Sequence, residues 1–412
     1  MDDADLKSSS TYALLNSEEK ITLGITTEPV IDYVDQMLWT AITMHASDIH
    51  LQPEETDARI RYRIDGTLYD QDSINTEKLK LVISRIKILA CLDIAVQRLP
   101  QDGKIKLNIS DYQNDEPGQS QTIDLRISTF PSMYGEKMVI RILDRTHNLL
   151  NLESLGMNQK TLGDLTNLIQ KPHGFFLVTG PTGSGKTTTL YAMLSTLNKP
   201  GRNIITMEDP VEYAVPGITQ SQVNEKTGFS FQNGLRCMLR QDPDIIMIGE
   251  IRDKITAQIA IEAALTGHLV FSTLHTNDAA GAITRLLDMG IEPFLINATL
   301  TGVLAQRLAR KLCNSCKKEN LSKAPEIKNL SASFNSPGCS KCFNLGHRGR
   351  TGIFELLALD DQIRDLILQK QSSTNIVQQA LNSGMQTLLH DGVEKVNNGH
   401  ISLEELYANV TV

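Results

Sequence analysis

The sequence predicts an α/β protein in two domains, a smaller α+β domain followed by a larger one built on a parallel sheet. Three observations support this prediction. Continuous apolar runs alternate with helical segments between residues 175 and 272, as expected for parallel strands that are covered on both faces. A mixed pattern of strands and helices precedes them. A segment with two Cys-x-x-Cys pairs follows them.

The chain has 412 residues, enough for two or three domains that each bury a core. Its net charge of −8 argues against a broad basic surface, so no nucleic-acid partner is expected. Residues 1–5 are acidic, unlike a signal peptide, and no apolar run is long enough to span a bilayer. We therefore expect a cytoplasmic protein that associates with a membrane only through partners.

The N-terminal part of the chain divides at about residue 28. Residues 1–28 are polar and are expected to form a tether, whereas residues 29–145 have the alternation and spacing of a small α+β domain. Its predicted elements are a helix at 79–90 and strands at 58–66, 123–128 and 138–143. Cys91 and Cys237 stand alone in helix-like contexts, so we expect both to be small, buried apolar residues.

The second domain, residues 146–412, contains a glycine-rich motif between an apolar strand and a helix. The motif is Gly-x4-Gly-Lys-Thr, in the strand–loop–helix setting that phosphate binding requires. Glycines let backbone amides turn toward phosphate oxygens, the lysine meets the β- and γ-phosphates, and the threonine hydroxyl coordinates Mg²⁺. The residues expected to bind the nucleotide are Gly180, Pro181, Thr182, Gly183, Ser184, Gly185, Lys186, Thr187 and Thr188.

Acidic residues and a histidine follow three further strands of the predicted sheet. Glu250 ends the strand at 245–248, where it would hold the metal, directly or through water, or polarise the attacking water. Three acids in the segment 208–212 follow another strand, and one of them is expected to orient that water. His275 follows the strand at 269–272 and is expected to sense the γ-phosphate.

These motifs, in this order, resemble the secretion ATPase family, the GspE- and PilB-like motors of type II secretion and type IV pili. The resemblance covers nearly the whole chain. Its residues are an N-terminal signature at 46–51 and 63–66, a Walker A motif at 180–187, an aspartate box at 208–212, a Walker B region at 241–253 and a histidine box at 273–278.

The resemblance implies a RecA-like core, a PAS-like N-terminal domain and a homo-hexameric ring that hydrolyses ATP at the periphery of the inner membrane. It implies Glu212 as the water-orienting residue, with Glu208 second, and it implies that Arg126 and Arg141 approach the γ-phosphate. The implied partner is an integral inner-membrane platform protein. The further N-terminal domain of larger assembly motors is expected to be absent from a chain of this length.

Four cysteines form the pattern Cys-x2-Cys-x22-Cys-x2-Cys: Cys313, Cys316, Cys339 and Cys342. Two such pairs provide the four thiolates of a tetrahedral Zn²⁺ site, and the reducing cytosol favours metal over disulfides. Because four thiolates leave no open position for water, the metal is expected to be structural. It would fold an insertion at about 307–352, which a helical tail follows.

By resemblance, the cysteines favour an assembly or secretion motor over a retraction motor. The function predicted is therefore an ATP-driven motor that adds pilin or pseudopilin subunits. Two alternatives are a retraction or DNA-uptake motor with the same chemistry, and a nucleotide-dependent scaffold with little turnover. The acidic net charge disfavours a helicase or DNA translocase.

Overall fold

A computed structural model describes residues 12–16, 19–23, 29–110, 120–144, 151–320 and 327–411. The chain divides into two compact units, an N-terminal unit at Met1–Asn148 and a C-terminal unit at Leu149–Val412. Each unit has its own large sheet. No helix among the described residues is both long and apolar enough to cross a bilayer.

The N-terminal unit is an antiparallel sheet with two helices. Its strands are β1 (Tyr12–Asn16), β2 (Glu19–Leu23), β3 (Ala46–Pro53), β4 (Asp57–Ile64), β5 (Thr67–Asn75), β6 (Gln101–Ser110), β7 (Ser120–Ser132) and β8 (Gly135–Asp144). Its helices are α1 (Pro29–Thr43) and α2 (Thr76–Leu89). The eight strands follow the order β2-β1-β6-β7-β8-β3-β4-β5, and neighbouring strands are antiparallel.

Alternation along these strands places apolar and charged side chains on opposite faces of the sheet. In β4, Ile60, Tyr62 and Ile64 are buried, whereas the arginines between them lie on the other face. Val34 and Leu38 of α1 are buried as well, and α1 packs on α2. The predicted strand and helix in residues 58–90 are therefore confirmed.

The predicted tether contains the strand pair of β1 and β2. Backbone pairing explains why this polar segment forms strands. β1 pairs antiparallel with both β2 and β6, so its backbone N–H and C=O groups bond to these strands rather than to water. The remaining residues of the segment 1–28 lie outside the described part of the chain.

The C-terminal unit has a seven-stranded sheet and a small two-stranded one. Its strands are β9 (Gly174–Thr179), β10 (Ile204–Glu208), β11 (Thr219–Gln222), β12 (Ile245–Ile248), β13 (Leu269–Leu274), β14 (Leu300–Leu312), β15 (Lys318–Asn320), β16 (Ser333–Asn335) and β17 (His347–Ala358). Its helices are α3 (Gln159–Ile169), α4 (Lys186–Leu197), α5 (Phe231–Met238), α6 (Lys254–Leu265), α7 (Ala279–Asp288), α8 (Pro293–Thr299), α9 (Asp361–Leu368), α10 (Ser373–Asn382), α11 (Leu388–Asn397) and α12 (Leu403–Asn409).

The large sheet confirms the parallel core. Its order is β11-β10-β12-β13-β9-β14-β17, and every neighbouring pair is parallel except β14 and β17. Phe175 and Leu177 of β9 enter one apolar cluster, whereas Phe176 and Val178 enter another. Both faces of the sheet are therefore covered, as the continuous apolar strands predict.

The cysteine-bearing insertion is shorter than its predicted range, 307–352. β14 and β17 are antiparallel partners, and their pairing extends from Gly302–Ala358 to Leu312–His347. Residues 307–312 and 347–352, which were predicted to belong to the insertion, are therefore part of these two strands. The segment between the two strands covers residues 313–346 and contains β15 and β16. The helical tail that follows is formed by α9 to α12.

Cys91 and Cys237 are exposed, so the expectation that they are buried is wrong. Cys91 follows α2 and has a positive φ of 55°, which turns the chain away from the helix. Cys237 lies on the outer side of α5, whose buried residues are Gly234, Leu235 and Met238.

Candidate functional site

The glycine-rich loop joins the fully buried strand β9 to helix α4, whose first residue is Lys186. Gly180, Gly183 and Gly185 have φ values of 148°, 78° and 86°, in the region that favours glycine. A Cβ on Gly180 would lie 2.4 Å from the Gln306 carbonyl oxygen, so no larger residue fits there. The loop therefore has the backbone of a phosphate cradle, with its apex at 181–183 exposed.

Lys186 folds back over this loop. Its Nζ donates to the carbonyl oxygens of Gly180 at 2.9 Å and Pro181 at 3.0 Å. Burial lowers the pKa of Lys186; the Glu250 carboxylate opposes this shift, and the Arg307 guanidinium adds to it. This half-buried ammonium forms no direct ion pair with a carboxylate among the described residues, so its charge is available to an anion. Thr187 and Thr188 lie in the first turn of α4 and are half-buried.

Strand β14 contacts the glycine-rich loop through a buried side chain. The Gln306 side chain donates from Nε2 to the Ser184 carbonyl oxygen at 2.6 Å, and Gln306 itself is buried. The next residue, Arg307, donates to the carbonyl oxygen of Asn277 in the histidine box at 2.7 Å. Two adjacent residues of one strand therefore hold the phosphate loop and the histidine box.

Glu250 and His275 meet at the carboxyl edge of the sheet, as predicted for residues that follow neighbouring parallel strands. His275 Nε2 lies 3.5 Å from one Glu250 oxygen, and Arg252 donates to the other. The Glu250 side chain is 18% exposed. The hydrogen bond and charge of Glu250 raise the pKa of Arg252. A carboxylate, a histidine and an arginine thus form one cluster within electrostatic reach of Lys186.

The two glutamates of the aspartate box have opposite environments. Glu208 is 2% exposed, and its carboxylate accepts hydrogen bonds from Tyr191 Oη, from Thr206 Oγ1 at 2.5 Å and from Gln220 Nε2 at 3.2 Å. Burial raises the pKa of Glu208, and these hydrogen bonds oppose that shift. Glu212, by contrast, is exposed.

The four predicted cysteines come together. Their sulfur atoms lie within 4.8 Å of one another, and the closest pairs are 3.8 to 3.9 Å apart. Tetrahedral Zn²⁺ with Zn–S bonds of about 2.3 Å requires sulfur atoms about 3.8 Å apart, so the donor set fits. Burial raises the pKa of Cys316 to about 11. Burial also acts to raise the pKa of Cys342, but hydrogen bonds from the backbone and from Cys339 and Cys313 outweigh it and lower this pKa to about 7.

In the N-terminal unit, Arg126 and Arg141 are direct partners on β7 and β8. With Lys104, the partner of Arg126 on β6, they line a surface depression of about 350 Å³. Arg141 Nε also donates to Asp48 Oδ1 at 3.0 Å. Asp102 lines the same depression, which still has an excess of positive charge on a chain that is acidic overall.

Several residues of these clusters are absent from the sequence predictions. Tyr191, Gln220, Gln306 and Arg307 touch the loops that carry predicted residues, and Arg252 touches Glu250 directly. Arg252 lies inside the Walker B region, two positions after Glu250, and this short spacing is the sequence signal from which the contact could have been predicted. The other four depend on strand or helix packing that the local pattern does not contain.

Comparison with known proteins identifies relatives along nearly the entire chain. Residues 25–408 match the family described as "Type II/IV secretion system protein". A protein of Pseudomonas aeruginosa named "Type II secretion system protein HxcR" is 49% identical over 92% of this chain and 76% of its own length. "Type II secretion system ATPase E" of Vibrio cholerae is 47% identical over 92% and 75%. "Type IV pilus assembly ATPase PilB" of Myxococcus xanthus is 45% identical over 92% and 68%.

Solved structures show the same architecture. The pilus retraction motor PilT, determined with bound ADP, is 28% identical over 92% of this chain and 96% of its own, with a TM-score of 0.60. The ATPase DotB of Legionella pneumophila has a TM-score of 0.67 at 22% identity, over 92% and 95% of the two chains, and shows the likeness of fold alone.

Proposed function

Because the chain belongs to the type II/IV secretion system protein family, we propose that it is the ATP-hydrolysing motor of a type II secretion or type IV pilus assembly system. The observation that carries the proposal is the cluster at one sheet edge. A glycine-built loop there presents Lys186, with Glu250 within electrostatic reach and His275 beside Glu250. Relatives at 45% to 49% identity are named for type II secretion and pilus assembly, and they support this choice of system.

The roles of the site residues follow from phosphoryl-transfer chemistry. The amides of the loop 180–185 and Lys186 would bind the phosphates of ATP, and the Thr187 hydroxyl would coordinate Mg²⁺, with Thr188 beside it in the first turn. Glu250 would bind the metal, directly or through water, or polarise the attacking water. His275, 3.5 Å from Glu250, would report the γ-phosphate to the same cluster. Mg²⁺ supplies charge stabilisation when it is bound.

Glu212 rather than Glu208 is proposed to orient the attacking water. The buried Glu208 carboxylate already accepts from three donors, so it is less accessible to a water in the nucleotide site than Glu212 is. The Glu212 carboxylate is exposed. Arg126 and Arg141, paired on adjacent strands, are proposed to stabilise charge on the transferring phosphoryl group.

The four cysteines are proposed to bind one structural Zn²⁺, because their sulfur separations fit a tetrahedral site. The assembled motor is proposed to be a homo-hexamer in the cytoplasm, held at the inner membrane by an integral platform protein. These proposals rest on the family resemblance. The cysteine set favours assembly over retraction in the same way.

Two substitutions test the proposed chemistry. Lys186→Ala is expected to abolish ATP binding, because it removes the cation that faces the phosphates. Glu212→Gln is expected to keep ATP binding and to lower turnover by at least about 10²-fold, the usual effect of losing a residue that activates water. Steady-state hydrolysis and nucleotide binding by the full chain with its platform protein measure both effects.

Glu225→Gln is the matched control, because Glu225 is also exposed but lies outside the cluster. It is expected to retain wild-type turnover. A wild-type chain that binds ATP without hydrolysing it, even with the platform protein, would contradict the motor and support the nucleotide-dependent scaffold.

A further inference from the structure

A buried hydrogen-bond network connects the helix after the phosphate loop to the segment that carries Glu212. Tyr191, five residues after Lys186 on α4, is 2% exposed. Its hydroxyl donates to Glu208 at the end of β10 and accepts from Gln220 Nε2 at 3.2 Å. The same Gln220 nitrogen lies 3.2 Å from Glu208 Oε1. Three elements, α4, β10 and β11, thus share one polar cluster, which we call the tyrosine–glutamate network.

The network holds the backbone on both sides of Glu212. Gln220 donates to the Tyr213 carbonyl oxygen at 3.0 Å, and its own Oε1 accepts from the Val215 amide at 2.7 Å. On the other side of Glu212, the Val211 amide donates to Gln222 Oε1 at 3.4 Å. Glu212 therefore lies between residues whose backbone groups are bound to side chains of β11.

An aromatic contact adds a second link between α4 and the same segment. The rings of Tyr191 and Tyr213 are edge to face, with centroids 4.6 Å apart and an interplanar angle of 83°. Edge-to-face pairs are favourable because the positive edge of one ring meets the negative face of the other. Tyr213, next to Glu212, is thus fixed by its backbone and by its ring.

Burial explains why this arrangement is specific. Tyr191 and Glu208 are buried and Gln220 is half-buried, so the loss of a partner would be most costly for the polar atoms of Tyr191 and Glu208. Tyr191 therefore links the segment held by β11 to α4, the helix whose N-terminus forms the phosphate cradle. Movement of that helix would be transmitted to Glu212 through Tyr191.

We propose that Tyr191, Glu208 and Gln220 are positioning residues that fix Glu212 relative to the bound nucleotide, and that Glu208 takes no direct part in hydrolysis. This inference rests on the proposed function, in which Glu212 orients the attacking water. A displacement of about 1 Å at such a residue costs on the order of 10²-fold in rate. Loss of the network should accordingly lower kcat and leave the phosphate contacts of ATP intact.

Tyr191→Phe and Gln220→Leu test the proposal in the full chain. Tyr191→Phe removes the hydroxyl and keeps the ring against Tyr213, whereas Gln220→Leu removes the side-chain bonds to the backbone of Tyr213 and Val215. Both variants are expected to lower kcat by about 10-fold or more, with the KM for ATP and nucleotide affinity within about two-fold of wild type. Thr196→Val is the control, because it removes a hydroxyl from the same helix that bonds only within α4, to Ala192 at 2.9 Å.

A double-mutant cycle separates positioning from general loss of structure. In single-turnover assays, Tyr191→Phe is expected to cause little further loss in a Glu212→Gln background, since residues that act through one group are not additive. Wild-type kcat in Tyr191→Phe and Gln220→Leu, or additive losses with Glu212→Gln, would overturn the network's role. Wild-type turnover in Glu212→Gln alone would overturn the role of Glu212 and this proposal with it. Thermal unfolding of each variant, matched to Thr196→Val, shows whether the fold is retained.

Discussion

At the scale of single residues, burial and hydrogen bonding distinguish carboxylates of the same residue type. Glu208 and Glu212 are four positions apart in one motif, yet the first is enclosed by donors and the second is exposed. Glu355 is a third case: it is 5% exposed and accepts from the amides of Ala279 and Leu388, at the starts of α7 and α11. Three glutamates thus have three different environments, which the residue type alone does not predict.

Asp35 provides a pH-dependent test of burial in the N-terminal unit. It lies on α1, and its Oδ1 is buried with no hydrogen-bond partner among the described residues. Burial raises its pKa to about 6, Arg85 opposes this shift and Asp32 adds to it. Because the folded pKa exceeds the unfolded value of 3.8, the folded state holds the proton more tightly. The stability that Asp35 contributes is therefore present below pH 4 and lost as the pH rises through about 6.

Asp35→Asn removes this titration and should therefore increase the free energy of unfolding relative to wild type. The difference between variant and wild type should grow from pH 4 to pH 6 and stay constant at higher pH. Chemical denaturation across this range measures the difference. Asp70→Asn, at an exposed position of β5, is the control and should show no such growth. A stability difference for Asp35→Asn that is independent of pH would contradict the mechanism.

At the scale of elements, the sequence predicted the fully buried strands of the C-terminal unit and missed strands of that unit whose polarity is mixed. β9, β12 and β13 are buried at every position and were predicted within two residues of their bounds. β14 carries Gln306, Arg307 and Arg310, so its pattern is not continuous, and its partner β17 begins 35 residues after it ends. β11 is a polar edge strand. Pairing between distant segments satisfies such strands, and a local pattern does not contain that information.

The candidate site contains residues from fixed-spacing motifs and residues that meet only through tertiary packing. Motifs with a fixed spacing, such as the glycine loop and the cysteine pairs, impose local geometry, and the structure brings their members together as expected. Tyr191 and Gln220 meet Glu208 only because α4, β10 and β11 pack against one another. Residues that act through tertiary contacts are therefore the part of the site that required the structure.

The insertion at 313–346 offers a test at the scale of an element. Few apolar side chains are buried among its described residues, and of its four cysteines Cys313 and Cys342 are buried. Cys339→Ser is expected to abolish stoichiometric zinc and to expose this segment to proteolysis and hydrogen exchange, because the metal supplies its folding energy. The parallel sheet should stay protected, since its core is separate.

Metal analysis and hydrogen exchange on the full chain measure the two effects. Cys237→Ser is the matched control, because Cys237 is an exposed free thiol outside the cluster. Full zinc content in Cys339→Ser, or loss of protection in the sheet rather than in the insertion, would contradict a structural site.

At the scale of the whole molecule, net charge conceals a basic row on one sheet. Lys104, Arg126 and Arg141 are successive partners across β6, β7 and β8, and Asp48 of β3 follows Arg141. Directly opposed residues point to the same face, so three cations lie side by side. Asp48 forms an ion pair with Arg141, and Asp102 lines the same depression as Lys104 and Arg126. Because opposed like charges are unfavourable, a bound anion would stabilise this row, although the chain as a whole carries a charge of −8. We therefore expect this surface of the N-terminal unit to bind phosphate.

Arg126→Ala tests whether this surface takes part in catalysis. If the row stabilises charge on the transferring phosphoryl group, its loss should lower kcat by at least about 10-fold while nucleotide affinity changes little. Arg59→Ala is the matched control, since Arg59 lies on the same face of the sheet, paired with Glu54 at 2.9 Å and outside the row. Hydrolysis by the full chain with its platform protein, at fixed ionic strength, compares the two variants. Equal turnover in Arg126→Ala and Arg59→Ala would show that hydrolysis does not use the row, and that the C-terminal unit alone supplies the charges that act on the nucleotide.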